Sequence, residues 1–109
     1  MNPDSLPDSP RIVILGCGSW GTALASVLTH SAGGVTLIGR DHAVLEDINS
    51  NSRNERYLPG SRLDPGITAT DELGTAVEAD LILFVVPSSA TRDVAGKLAS
   101  LPLKPNAIL

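Results

Sequence analysis

Arg11-Ile-Val-Ile-Leu-Gly-Cys-Gly-Ser-Trp-Gly-Thr-Ala-Leu-Ala25 decides the fold. The run Ile12 to Leu15 is short and apolar, as a buried strand is. It passes directly into Gly16-x-Gly18-x-x-Gly21, and Thr22 to His30 then reads as a helix that begins near Ser19 or Trp20. Each glycine has a physical reason. Gly16 permits the tight turn out of the strand, Gly18 lets backbone approach a pyrophosphate, and Gly21 lets the helix pack closely. Unpaired N–H groups at the helix start, with the positive end of the helix dipole, then face the phosphates without a basic side chain.

Working outward, Ala32-Gly33-Gly34 reads as a helix stop and Val35 to Ile38 as a second strand. Strand, helix and strand within about 30 residues make a right-handed βαβ unit. Asp41 is placed to cap a second helix, whose Val44, Leu45 and Ile48 share one face. A polar stretch from Asn49 to Arg56 leads to the turn Tyr57-Leu-Pro-Gly60. Ile67 to Ala69 is a short strand. Asp71 and Glu72 suit the start of a helix from Leu73 to Ala79. Leu81 to Val86 is an unbroken apolar strand, expected to be covered on both faces. Pro87 ends it, with Ser88 or Ser89 capping a helix through about Ser100. Asn106 to Leu109 is apolar and reads as a fifth strand.

The expected fold is therefore α/β: a Rossmann-type, doubly wound, mostly parallel sheet with helices on both faces, cut at about its fifth strand. Residues 1–10, rich in Pro and acidic side chains, read as a disordered leader, and residues 11–109 as a partial dinucleotide-binding domain. The leader has neither the basic nor the apolar region of a signal peptide.

Composition narrows the function. Of 109 residues 42% are hydrophobic and the net charge is −4, so one soluble domain is expected and a nucleic-acid partner is disfavoured, since clustered Lys and Arg are missing. A single cysteine, Cys17, fits a reducing, cytoplasmic setting. Leu81 to Val86 is far shorter than the roughly 20 residues that span a bilayer, so no membrane role is expected. No zinc-type ligand cluster is visible.

Candidate site residues follow from the turn. A residue at the end of the second strand reads the adenosine ribose: an acidic side chain takes the 2′-hydroxyl of NAD, an arginine the 2′-phosphate of NADP. Gly39-Arg40 stands there, so NADP is slightly favoured over NAD, with Asp41 able to restore NAD binding. A solvated surface charge is the plainer reading of Arg40. Trp20 lies near the pyrophosphate or packs in the core, and Ser19 meets the phosphates or caps the helix. Cys17 is near a helix N-terminus, which can lower a thiol pKa, but a small residue that fits is the commoner case and no catalytic role is assigned. His30 and His42 read as surface residues. Lys97 and Lys104, on or behind the last helix, are expected to meet solvent.

Gly16-Cys-Gly-Ser-Trp-Gly-Thr-Ala-Leu-Ala25, Gly39-Arg40, Asn51-Ser-Arg-Asn54, Tyr57-Leu-Pro-Gly60 and Val85-Val-Pro-Ser88 together resemble the N-terminal domain of bacterial NAD(P)-dependent sn-glycerol-3-phosphate dehydrogenases. The resemblance runs from about Arg11 to Leu109. It implies that Ser19 and Trp20 contact the dinucleotide, that Arg40 meets the adenosine ribose or its phosphate, and that Tyr57 is a further cofactor contact. It also implies hydride transfer between NAD(P)H and a phosphorylated triose, interconverting dihydroxyacetone phosphate and sn-glycerol 3-phosphate for phospholipid synthesis. The family's catalytic lysines and substrate-phosphate ligands follow the fifth strand and occupy a helical C-terminal domain, so no catalytic residue is assigned here and a homo-oligomer is left open. Cys17 replaces the more usual Ala, Gly or Asn. The alternatives are a non-catalytic NAD(P)-sensing domain and the cofactor domain of a related 2-hydroxyacid or sugar-acid dehydrogenase.

Overall fold

Ile12, Val13, Ile14 and Leu15 are all buried in strand β1 (Arg11–Leu15), which has a neighbour on each side. In the computed structural model, which describes residues 10–30, 34–86 and 88–102, β1 pairs in parallel with β2 (Gly34–Ile38) and β4 (Leu81–Phe84), and β2 pairs in parallel with β3 (Ile67–Thr70). The strand order is β3-β2-β1-β4. Parallel pairs need crossovers. These are α1 (Ser19–Leu28) between β1 and β2, α2 (His42–Asn51) with the segment after it between β2 and β3, and a 3-10 helix (Leu73–Glu78) between β3 and β4; α3 (Ser88–Ala99) follows β4.

Successive strand side chains point to opposite faces, and so build two cores. Ile12 and Ile14 join Val35 and Leu37 under Ala25 of α1 and Val44, Leu45 and Ile48 of α2. Val13, Leu15 and Ile38 join Ile82 under Ala76 of the 3-10 helix and Leu98 of α3. Helices thus lie on both faces, as the Rossmann reading requires. The second layer stops short of the β2–β3 side, where Thr36 and Thr68 meet hydroxyl to hydroxyl at 3.3 Å and Thr68 is exposed.

Several boundaries differ from the sequence reading. α1 ends at Leu28, with Thr29 as its C-cap, two residues before His30. Gly34 is part of β2, opposite Arg11, rather than a helix stop; Ala32 and Gly33 lie outside the described residues. The expected helix from Leu73 to Ala79 is a six-residue 3-10 turn with no side-chain cap from Glu72, and Asp71 instead accepts from His42 Nε2 at 2.9 Å. The strand expected to reach Val86 ends at Phe84, and Leu81 and Leu83 are half-buried because, among the described residues, β4 has a strand partner on one side only. α3 already includes Ser88 and Ser89, so neither precedes the helix as its cap. The leader through Ser9, Lys104 and the fifth strand expected at Asn106 to Leu109 lie outside the described residues.

Asp41 caps α2 as expected: its Oδ1 accepts from Ala43 N at 3.1 Å and Val44 N at 3.4 Å. At the other end Ser52 takes a left-handed conformation, φ 53, and turns the chain back toward the sheet. Asp47 anchors this return, since its carboxylate accepts from Asn51 Nδ2 and Glu55 N. Those two bonds hold its pKa below the ordinary value. Asn49, also on α2, makes both a donor and an acceptor bond of 2.8 Å with the main chain of Ala69 on β3. No helix of the described residues is long and apolar enough to cross a membrane.

Candidate functional site

The glycine turn sits at the C-terminal edge of the sheet, where ligands of open α/β sheets bind. Gly16 N donates to Ile38 O at 2.8 Å, tying the turn to the end of β2. Its φ of +129 and the 2.6 Å that would separate a Cβ from Val85 O both demand glycine. A Cβ on Gly21 would run into the carbonyl oxygen of Gly16, so α1 packs directly on the turn because residue 21 has no side chain. Gly18 is different. It is the N-cap of α1 at φ −74, ψ −167, and no atom lies within 4 Å of where its Cβ would stand.

That vacant position lies at the helix start, where the first N–H groups of α1 have no partner within the helix. Bare backbone, free donors and the positive helix end suit a pyrophosphate in shape and charge. These residues fit a dinucleotide.

Around the turn, the expected residues gather unevenly. Ser19 is the first residue of α1 rather than its cap, and its Oγ donates to the carbonyl of Tyr57 at 2.8 Å. Trp20 is 77% exposed, so it does not pack in the core. Tyr57 is partly exposed, with the Arg56 guanidinium 5.5 Å from its ring centroid. The Arg40 side chain is 80% exposed and reaches across to Asp93 of α3 at 3.8 Å. Asp41 is committed on both oxygens: Oδ1 caps α2, while Oδ2 accepts from Arg56 Nη1 at 2.9 Å. Arg40 is therefore the freer of the two ribose-reading candidates.

Four other side chains singled out in the sequence add no reactive group to this cluster. Burial, with the negative charge of Asp41 adding to it, pushes the Cys17 thiol up to about 11, so the helix start does not activate it. His42 is exposed and bound to Asp71, and His30 is exposed. Lys97 is exposed and pairs with Asp93 at 3.3 Å. Among the described residues no group of three or more His, Cys, Asp or Glu side chains is placed to hold a metal ion.

Two residues that pack on the turn were given no role in the sequence reading. Gly39 faces Cys17 so closely that a Cβ there would lie 2.6 Å from Sγ. Asn54, in the stretch read simply as polar, is 1% exposed and bonded to the carbonyl of Cys17. Its signal was its place in Asn51-Ser-Arg-Asn54, which carried the resemblance without indicating burial.

Residues 11–109 match the family described as NAD-dependent glycerol-3-phosphate dehydrogenase N-terminus. A glycerol-3-phosphate dehydrogenase [NAD(P)+] of Anaeromyxobacter sp. (strain K) is 52% identical over 85 residues, 77% of this chain and 26% of the relative. One from Carboxydothermus hydrogenoformans is 41% identical over 102 residues, 93% of this chain and 30% of the relative. The crystal structure of glycerol-3-phosphate dehydrogenase from Coxiella burnetii superimposes with a TM-score of 0.82 at 32% identity, covering 93% of this chain and 31% of that one. The chain thus spans between a quarter and a third of the length of these relatives. With the glycine turn, the parallel order and the match over nearly all of its length, the chain belongs to the family of NAD-dependent glycerol-3-phosphate dehydrogenase N-termini.

Proposed function

We propose that this chain binds NAD(P)(H) at the glycine turn and is the cofactor-binding part of an enzyme interconverting dihydroxyacetone phosphate and sn-glycerol 3-phosphate. The observation that carries the reading is the contrast among three glycines. Gly16 and Gly21 are packed against protein, while Gly18 is bare toward open space at a helix N-terminus. Gly16, Gly18, Gly21 and the first N–H groups of α1 would hold the pyrophosphate. Ser19, Trp20 and Tyr57 border it, and Arg40 meets the adenosine ribose. When bound, nicotinamide supplies or accepts the hydride, and the chain's own contribution is binding and orientation.

Because Arg40 is exposed while both Asp41 oxygens are engaged, a 2′-phosphate is better served than a 2′-hydroxyl, which favours NADPH. Residues 11–109 act as the dinucleotide-binding domain, and the substrate-phosphate and proton-transfer groups belong to the part of the relatives that this chain does not span. A role in cytoplasmic phospholipid synthesis goes with that reading, as does a phosphorylated triose as the small-molecule partner.

Calorimetric titration of the 109-residue chain with NADPH and NADH tests the binding half. Saturable binding of either is expected, with NADPH tighter, and no heat from either ligand would refute the reading. Turnover of NADPH with dihydroxyacetone phosphate is expected to be undetectable for this chain, because general acid catalysis and substrate orientation each contribute orders of magnitude. Turnover abolished by Lys97→Ala would instead place the active site on α3.

A further inference from the structure

The segment after α2 is fastened to the glycine turn by one side chain. Asn54 Nδ2 donates to the carbonyl of Cys17 at 2.9 Å and to Thr22 Oγ1 at 2.8 Å, and Thr22 Oγ1 in turn reaches the same Cys17 carbonyl at 3.3 Å. Its Oδ1 accepts from Tyr57 N at 3.3 Å. Asn54 and Thr22 are 1% and 0% exposed, so these bonds form away from water. No buried side-chain nitrogen or oxygen of the described residues lacks a partner.

We propose that Asn54 is the positioning residue of the pyrophosphate turn: by holding the Cys17 carbonyl from behind, it fixes the Gly18 N–H in the orientation that receives a phosphate oxygen. The argument is one of peptide geometry. In a planar trans peptide the carbonyl and the N–H point in opposite directions, and no cis peptide occurs among the described residues. Two donors drawn to the Cys17 oxygen therefore turn the N–H of Gly18 the other way.

Such a restraint is needed because the bare Gly18 that admits a ligand also makes its peptide easy to rotate. Rotated by half a turn, the peptide would present a carbonyl oxygen to a phosphate. A donor fixed before binding avoids that state and the cost of ordering it. Through Oδ1 the same side chain sets the start of the Tyr57 turn, whose carbonyl is held by Ser19 at 2.8 Å. Both walls of the turn thus depend on one amide.

This inference rests on the proposed dinucleotide binding, and the test separates the two. Asn54→Asp keeps shape and the acceptor for Tyr57 N but removes the Nδ2 donor to the Cys17 carbonyl and to Thr22 Oγ1, and sets a carboxylate against that carbonyl. In NMR titrations NADPH is expected to bind the variant at least ten-fold more weakly. Adenosine 2′-monophosphate, which lacks the pyrophosphate, is expected to bind within two-fold of its affinity for the unsubstituted chain. Equal losses for both ligands would make Asn54 a general scaffold residue and overturn the proposal, as would unchanged NADPH affinity. Should N54D not fold, Thr22→Val removes one of the two donors on the Cys17 oxygen while keeping the helix. A several-fold loss for NADPH alone is then expected, and no loss overturns the proposal. Failure of the unsubstituted chain to bind any dinucleotide would refute the proposed function itself, and this inference with it.

Discussion

Cys17 and Gly39 share one space at the end of the sheet: a methyl carbon built on Gly39 would stand 2.6 Å from Cys17 Sγ and 3.1 Å from its Cβ. Gly39 N is held by Thr70 O at 3.0 Å, so the backbone there has little freedom to retreat. Gly39→Ala is expected to destabilise the fold by about 1–3 kcal/mol, the usual range for overpacking. Cys17→Ala in the same chain removes the nearer clash and should recover part of that loss. Urea unfolding of the single and double variants gives the coupling, and strictly additive losses would mean that the two residues do not compete.

Gly18 and Gly16 should respond in opposite ways to a side chain. Gly18 has an ordinary φ of −74 and open surroundings, so Gly18→Val is expected to fold normally and lose NADPH binding. Gly16→Ala must hold φ +129 against Val85 O and should cost roughly 1–3 kcal/mol of stability before any ligand is added. Thermal melts with and without NADPH distinguish the two, and a folded Gly18→Val that binds as tightly as the unsubstituted chain counts against the turn as the pyrophosphate site.

Arg40→Ala is expected to weaken NADPH by about 1.5–3 kcal/mol, the range for hydrogen bonds that involve a charged group, and NADH much less. Paired calorimetric titrations measure the difference. Equal losses would show that the guanidinium does not read the 2′-phosphate and that its ion pair with Asp93 is its main contact.

The half-buried thiol of Cys17 makes stability depend on alkali in a definite direction. Cys17 in the fold holds its proton up to about 11, whereas its ordinary value is 9.0. Its contribution is therefore fully present below pH 9.0 and is lost as pH rises from there through about 11, because only the unfolded chain gains by ionising early. Comparing urea midpoints of the unsubstituted chain and Cys17→Ala across that window isolates the thiol from other alkaline titrations. A constant difference would mean that Cys17 ionises alike in both states. Alkylation by iodoacetamide at neutral pH should likewise be slower than for an exposed thiol.

Legibility in the sequence followed the range of the interactions. β1, the glycine turn and the Asp41 cap are written in residues within a few positions of one another, and the structure has them where the spacing placed them. Arg40 was singled out as a candidate by its distance from the turn along a known crossover. Asn54 and Gly39 were not, because their partners lie 37 and 22 positions away, and a polar run or a Gly-Arg pair says nothing of what folds back against it. Leu73–Glu78 failed for another reason. The ten residues between β3 and β4 leave only six for a helix, too little length for an α-helix to repay its first turn, and the tighter 3-10 winding spans the gap.

Asn49 and Ala69 give the sheet a direction. Strand margins ordinarily offer unpaired N–H and C=O groups on which another strand can assemble. At Ala69 one carboxamide supplies the donor and the acceptor that such a strand would have brought. The β3 margin is thereby closed at its centre by the helix that precedes it, while the far margin at β4 has no such closure among the described residues. Among the described residues the sheet therefore has one margin capped by a side chain and one left as bare strand, and a strand added to it would sit beside β4.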